Sequence, residues 1–141
     1  MDKLRLLIPI VQSVIKPLDH LSIALQRYND SLFKTDPIEG LTYTIMGLEA
    51  LFLKSLEHEE LEHRLAQRAA KCLSIIGYQQ LEVYNIIKQS YDVRSEFIHG
   101  YLVSEEKRLD ASKLCDKIVE FLRSSVIVFM QLKEKVEKRA F

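Results

Sequence analysis

Apolar residues recur at spacings of three and four along almost the whole chain, and no stretch alternates cleanly in the manner of a β-strand. Only four glycines and three prolines occur in 141 residues, too few for the many turns of a β-sandwich or barrel. This length is enough for one hydrophobic core without disulfides or metals. We therefore expect a single all-α domain over residues 1–141, a compact bundle of about five to six helices.

Capping residues and the apolar spacing place the helices. The sequence predicts helices over about residues 4–15, 17–30, 37–56, 59–76 and 80–98, and a last helix that starts after Asp110. Asp36 is a suitable N-cap before Pro37, and Gly77 is a natural left-handed residue at a helix end. The helix over 37–56 is apolar nearly all round and should be the central one. Residues 101–109 are expected to form a polar connection.

Charge and cysteine content limit the possible partners. Twenty basic residues cancel twenty acidic ones, which argues against binding to nucleic acid or to anionic membrane by bulk attraction. The apolar stretch near the start is too short to span a bilayer, so no membrane association is expected. Cys72 and Cys115 are far apart in sequence and are expected to be free thiols, which fits a cytoplasmic protein.

The helix over 80–98 contains a cation on its apolar side. On a helical wheel Arg94 falls at the centre of the apolar half. A guanidinium keeps its charge, and burying it unpaired would cost several kcal/mol. Arg94 is therefore paired with a carboxylate, placed at a cleft, or functional.

His99 lies at the end of the same helix, where the helix dipole favours a protonated imidazole. An ideal helix would separate it from Arg94 by about 140°. A change of direction next to Gly100, or a second copy of the helix across a two-fold axis, would be needed to bring such groups to one phosphate. An arginine and a histidine around one cleft suit phosphodiester cleavage without a metal. The alternative is that Arg94 pairs with a core carboxylate and that His99 interacts only with the dipole.

Residues 91–100 (YDVRSEFIHG) resemble the signature of HEPN domains, in which an arginine is followed four to six residues later by a histidine at a helix end. Residues 47–52 (GLEALF) and 64–70 (RLAQRAA) resemble the two preceding helices of the Apea-like branch of that family. The resemblance covers about residues 18–128.

The resemblance implies an all-helical bundle, commonly a homodimer, with many members acting as metal-independent ribonucleases in toxin or defence systems. It assigns Arg94 and His99 as the catalytic pair. Ser95 takes a supporting position where active members often have asparagine or aspartate, and a serine hydroxyl reaches less far. Tyr101 completes an H-x-Y sequence that in HEPN toxins is modified by a nucleotidyltransferase partner, the antitoxin; the simpler interpretation is a loop aromatic.

Arg64 and Arg68 lie one turn apart and are candidates for a phosphate-binding rim around Arg94. They are equally well interpreted as surface arginines, with Glu60 as a partner. His58 and His63 are five residues apart rather than the four of a zinc protease helix, so no metal site and no cofactor are expected.

We therefore expect a HEPN-type RNA-binding protein that acts as a metal-independent endoribonuclease in a dimer-interface cleft. The alternative is a non-catalytic HEPN module for dimerisation or partner binding, in which Arg94 anchors the structure. A third and weaker hypothesis is nucleotide or small-ligand binding in the same cleft.

Overall fold

A computed structural model of the chain describes residues 20–53, 60–98 and 105–139. These residues form five helices and no strand: α1 (His20–Leu32), α2 (Pro37–Phe52), α3 (Leu61–Ser74), α4 (Gln80–Ile98) and α5 (Glu105–Arg139). The predicted all-α bundle is confirmed. The helix predicted over residues 4–15 lies outside the described part of the chain.

The start of α2 follows from its capping residue. The carboxylate of Asp36 accepts a hydrogen bond of 3.0 Å from the backbone N–H of Ile38, and Pro37 occupies the first turn. Glu39, also in the first turn, adds a favourable charge at the positive end of the helix dipole. The predicted Asp36 cap is confirmed.

The turn between α3 and α4 is closed by a glycine. Gly77 has a φ of 103°, which an L side chain rarely adopts. The N–H of Gly77 donates a hydrogen bond of 3.2 Å to the carbonyl of Ser74, and the N–H of Tyr78 donates one of 3.1 Å to the carbonyl of Leu73. These two bonds are those of a Schellman motif, so the predicted role of Gly77 is confirmed.

Two predicted boundaries are wrong. Helix α5 begins at Glu105 instead of after Asp110. The acidic residue Glu106 falls in its first turn, where the helix dipole favours a negative charge. Asp110 therefore lies inside the helix, and the predicted polar connection over 101–109 is helical from residue 105. Helix α2 ends at Phe52 rather than near residue 56, since Leu53 is extended with a φ of −109°.

Helix α2 is the centre of the bundle and contacts each of the other four helices. The largest fully buried side chains come from α2 to α5; they are Ile38, Leu41, Ile45, Leu48, Leu65, Leu73, Val83, Ile87, Ile118, Phe121, Leu122 and Met130. Their burial provides the main driving force for folding. This core places α2 directly beside the C-terminal half of α4.

Helices α2 and α5 pack side by side and run in the same direction. Gly40 faces Cys115, Gly47 faces Leu122, and the ring of Phe52 meets that of Phe129 edge-on at 5.4 Å. A Cβ atom at Gly47 would lie 2.7 Å from Leu122 Cδ2, so a larger residue at this position would displace the Leu122 side chain.

Candidate functional site

Arg94 lies on the buried face of α4. Ser90 and Ile87, four and seven residues earlier, are both fully buried, and residues at these spacings share a helix face. The guanidinium contacts α2, where Arg94 Nη1 lies 3.4 Å from Oε1 of Glu49. The two side chains keep 24% and 26% of their surface exposed, so the pair sits at the edge of the core and water reaches both charges.

The Nε–H of Arg94 is buried without a hydrogen-bond partner among the described residues. The hydroxyl of Tyr91, one turn earlier on α4, is also buried and interacts with Glu49. Unpartnered buried donors are uncommon in folded proteins. The Nε–H of Arg94 faces the protein interior, so a ligand can approach this residue only through the exposed 24% of its side chain.

The hydroxyl of Tyr91 lies beside Glu49 in a buried position. Burial, and to a lesser extent the negative charge of Glu49 and a hydrogen bond with it, raises the pKa of the Tyr91 hydroxyl above its ordinary value. A tyrosine hydroxyl is protonated at neutral pH even at its ordinary pKa, so the shift acts only under alkaline conditions.

A row of polar contacts continues along the seam between α3 and α4. Lys88 Nζ lies 3.3 Å from Oε1 of Glu62, and this hydrogen bond raises the pKa of Lys88. Nδ1 of His63 lies 2.8 Å from the Tyr84 hydroxyl, and the two rings meet edge-on. The polar groups of this seam are therefore engaged with each other.

Arg68 has a partner within the fold. Its Nη1 donates a hydrogen bond of 2.7 Å to the backbone carbonyl of Phe52, the last residue of α2. Carbonyls at a helix end lack an intrahelical donor, so Arg68 caps α2. Arg64, one turn earlier, is half-buried on α3 and also has an interaction partner. Their predicted role as a phosphate-binding rim stays a prediction.

The other residues of the predicted site are divided between described and undescribed parts of the chain. Ser95 is exposed on α4, directly after Arg94. His99 and Tyr101 lie outside the described residues, as does His58. The relation between Arg94 and His99 therefore stays a prediction.

Glu49 was not assigned a role from the sequence, although the sequence contains a signal for it. Glu39 and Glu49 are the charged residues of α2, and Glu39 is accounted for by the first turn. A carboxylate at the edge of a largely apolar core is stabilised by a cation beside it. Arg94 is the cation on the apolar half of another helix, so the sequence already offered it as a partner for Glu49.

A groove on another side of α4 lies against the start of α5. It is lined by Gln89, Asp92, Val93, Glu96, Asp110, Lys113 and Leu114. Three of these residues are acidic and one is basic, so the groove is unsuited to a polyanion. Arg94 is not among its lining residues.

Over residues 20–53, 60–98 and 105–139, histidine, cysteine and carboxylate side chains nowhere come together in a group of three or more that could hold a metal ion. The helices in these ranges also lack the combination of length and apolar composition needed to cross a bilayer.

The chain shows no significant match to any model of a known protein family, to any curated protein or to any solved structure.

Proposed function

We propose that this chain binds RNA and cleaves it without a metal ion, as a homodimer whose cleft contains Arg94 and His99. The observation that supports the proposal is the placement of Arg94. The arginine is held on the buried face of α4 by its contact with Glu49, and its side chain keeps 24% of its surface exposed. A fixed, permanent cation at the solvent edge of the core suits the charge that builds on phosphoryl oxygens during cleavage.

In the proposed reaction the ribose 2′-oxygen bonds to the adjacent phosphorus while the bond from phosphorus to the 5′-oxygen breaks. The products are a 2′,3′-cyclic phosphate and a 5′-hydroxyl. His99 takes the proton from the 2′-hydroxyl or gives a proton to the leaving 5′-oxygen. Water or a second imidazole in the dimer carries out the other of these two proton transfers. Arg94 stabilises the negative charge on the non-bridging oxygens.

The proposal is tested by incubating a labelled single-stranded RNA with the protein in EDTA. Arg94→Ala and His99→Ala should each lower the cleavage rate by at least about a hundredfold, the usual effect of removing a charge-stabilising or proton-transfer group. The matched controls are Arg123→Ala and His20→Ala, which remove the same residue types from exposed positions on α5 and α1. Equal rates for all four variants would contradict the proposal.

A second candidate function is a non-catalytic module for dimerisation or partner binding. The contact between Arg94 and Glu49 favours it, because an arginine that links two core helices has a structural role. In that case the wild-type protein would leave RNA intact, and Arg94→Ala would lower the melting temperature or the dimer affinity.

A further inference from the structure

The positive charge of Arg94 is opposed by a carboxylate within its own site. Glu49 on α2 lies 3.4 Å from Arg94. A phosphodiester that approaches Arg94 therefore meets a negative charge directly beside the positive one.

From this geometry we infer that Glu49 is an internal counter-ion that weakens the binding of an RNA phosphate at Arg94. The inference rests on the proposed function, and it adds a residue that sets the affinity of the site. Glu49 acts through Arg94 and is not assigned a contact with the reacting atoms.

The contact geometry leaves Arg94 available to a second anion. A guanidinium has five N–H donors, and the bond from Arg94 to Glu49 is a single one through Nη1 at 3.4 Å, longer than a strong charge-assisted hydrogen bond. The Nε–H is buried away from solvent, but the side chain as a whole keeps 24% of its surface exposed. A phosphate can therefore approach the exposed part of Arg94 while Glu49 stays in place, at the cost of repulsion between the two anions.

This repulsion predicts a measurable change when the charge of Glu49 is removed. Two unit charges about 7 Å apart in a partly exposed site interact by roughly 1 kcal/mol at low salt, which corresponds to about five- to tenfold in affinity. Glu49→Gln removes the charge and keeps an amide oxygen that can still accept from Nη1 of Arg94. The variant should therefore bind RNA about five- to tenfold more tightly at low salt.

The experiment measures binding of a fluorescent, 2′-O-methylated single-stranded RNA, which cannot be cleaved through the 2′-oxygen, over a series of KCl concentrations. The matched control is Asp30→Asn, which makes the same change in net charge and breaks the Arg27–Asp30 ion pair of 3.6 Å on α1. Glu49→Gln should bind more tightly than both the wild type and Asp30→Asn, with the gain shrinking as salt rises. The gain should vanish in the double variant Glu49→Gln, Arg94→Ala.

Glu49→Asp distinguishes an effect of charge from an effect of altered packing, because it keeps the charge but shortens the side chain. If charge is the cause, this variant binds RNA like the wild type, whereas an affinity gain equal to that of Glu49→Gln overturns the inference. If Arg94→Ala weakens RNA binding but Glu49→Gln binds no more tightly than Asp30→Asn, the inference fails and the proposed function stands. If Arg94→Ala has no effect on RNA binding by the wild type, both fail.

Discussion

Arg94 is held by one contact with Glu49 at the edge of the core, and this limits how much the ion pair stabilises the fold. Both side chains are about a quarter exposed, at 24% and 26%, so solvent screens their attraction. Removing one partner of a partly exposed pair costs far less stability than removing one partner of a buried pair. A residue kept in such a position contributes modestly to stability and remains accessible to a ligand.

We predict that Arg94→Ala lowers the free energy of unfolding by only about 1 kcal/mol, the upper range for an exposed ion pair. Urea denaturation of the variant and the wild type at neutral pH measures this difference. A loss of 3 kcal/mol or more, of the order found on breaking a buried pair, would instead identify Arg94 as a structural anchor and favour the non-catalytic module.

We predict that titration of Cys115 lowers the free energy of unfolding at alkaline pH. Burial, and secondly the charge of Asp116, raises the pKa of the Cys115 thiol from 9.0 to about 11 in the folded chain. Between these values the unfolded chain loses the thiol proton while the folded chain keeps it, so the free energy of unfolding falls as pH rises from 9.0 towards 11.

Cys115→Ala should reduce this alkaline decline. The raised pKa values of Tyr91 and Lys88 act in the same direction, so the decline should be reduced rather than abolished. Urea denaturation of both proteins at a series of pH values from neutral to alkaline tests this. Parallel curves for the wild type and the variant would show that Cys115 titrates alike in the folded and unfolded chains.

At the scale of the elements, the turn between α3 and α4 depends on the backbone of Gly77. Its φ is 103°, and a Cβ atom there would have no neighbour within 4 Å. Gly77→Ala should therefore destabilise the protein by about 1–2 kcal/mol through backbone conformation alone. Gly77→Asn, whose side chain tolerates positive φ, should cost less. If both variants have wild-type melting temperatures, this turn does not restrain the α3–α4 hairpin.

Local signals in the sequence predicted those features of the fold that have local causes. Asp36 and Gly77 act within a few residues of their own positions, so their roles were predicted correctly. The start of α5 was misplaced because Asp110 is as suitable a cap as any earlier residue, and spacing alone does not rank the candidates.

Contacts between different helices were harder to predict from the sequence. The helical wheel placed Arg94 on the buried side of its helix, but its partner Glu49 lies 45 residues earlier and only the packing of α2 against α4 joins them. The hydrogen bond from Arg68 to the carbonyl of Phe52 likewise depends on where α2 ends, and that boundary was predicted too late in the chain.

At the scale of the whole molecule, we predict a homodimer. Leu81 on α4 and Leu132 on α5 are 71% and 52% exposed in the single chain. Apolar side chains on α4 would gain by packing against a second copy. Light scattering after size exclusion should give twice the chain mass of 16.4 kDa.

Leu81→Ser should shift the protein towards the monomer. The matched control is Phe33→Ser, which removes an 85% exposed aromatic at the end of α1, away from α4. A monomeric mass for the wild type at all concentrations would contradict the shared cleft, and equal effects of both substitutions would exclude Leu81 from the interface.

The central claim is that Arg94 supports metal-independent cleavage of RNA through the ribose 2′-oxygen, and the ends of the RNA products test it most directly. In EDTA the wild-type protein should produce 2′,3′-cyclic phosphate and 5′-hydroxyl ends, and Arg94→Ala should produce neither above background. Intact RNA after incubation with the wild type, the same ends at the same rate from Arg94→Ala, or products with 3′-hydroxyl and 5′-phosphate ends would contradict the claim.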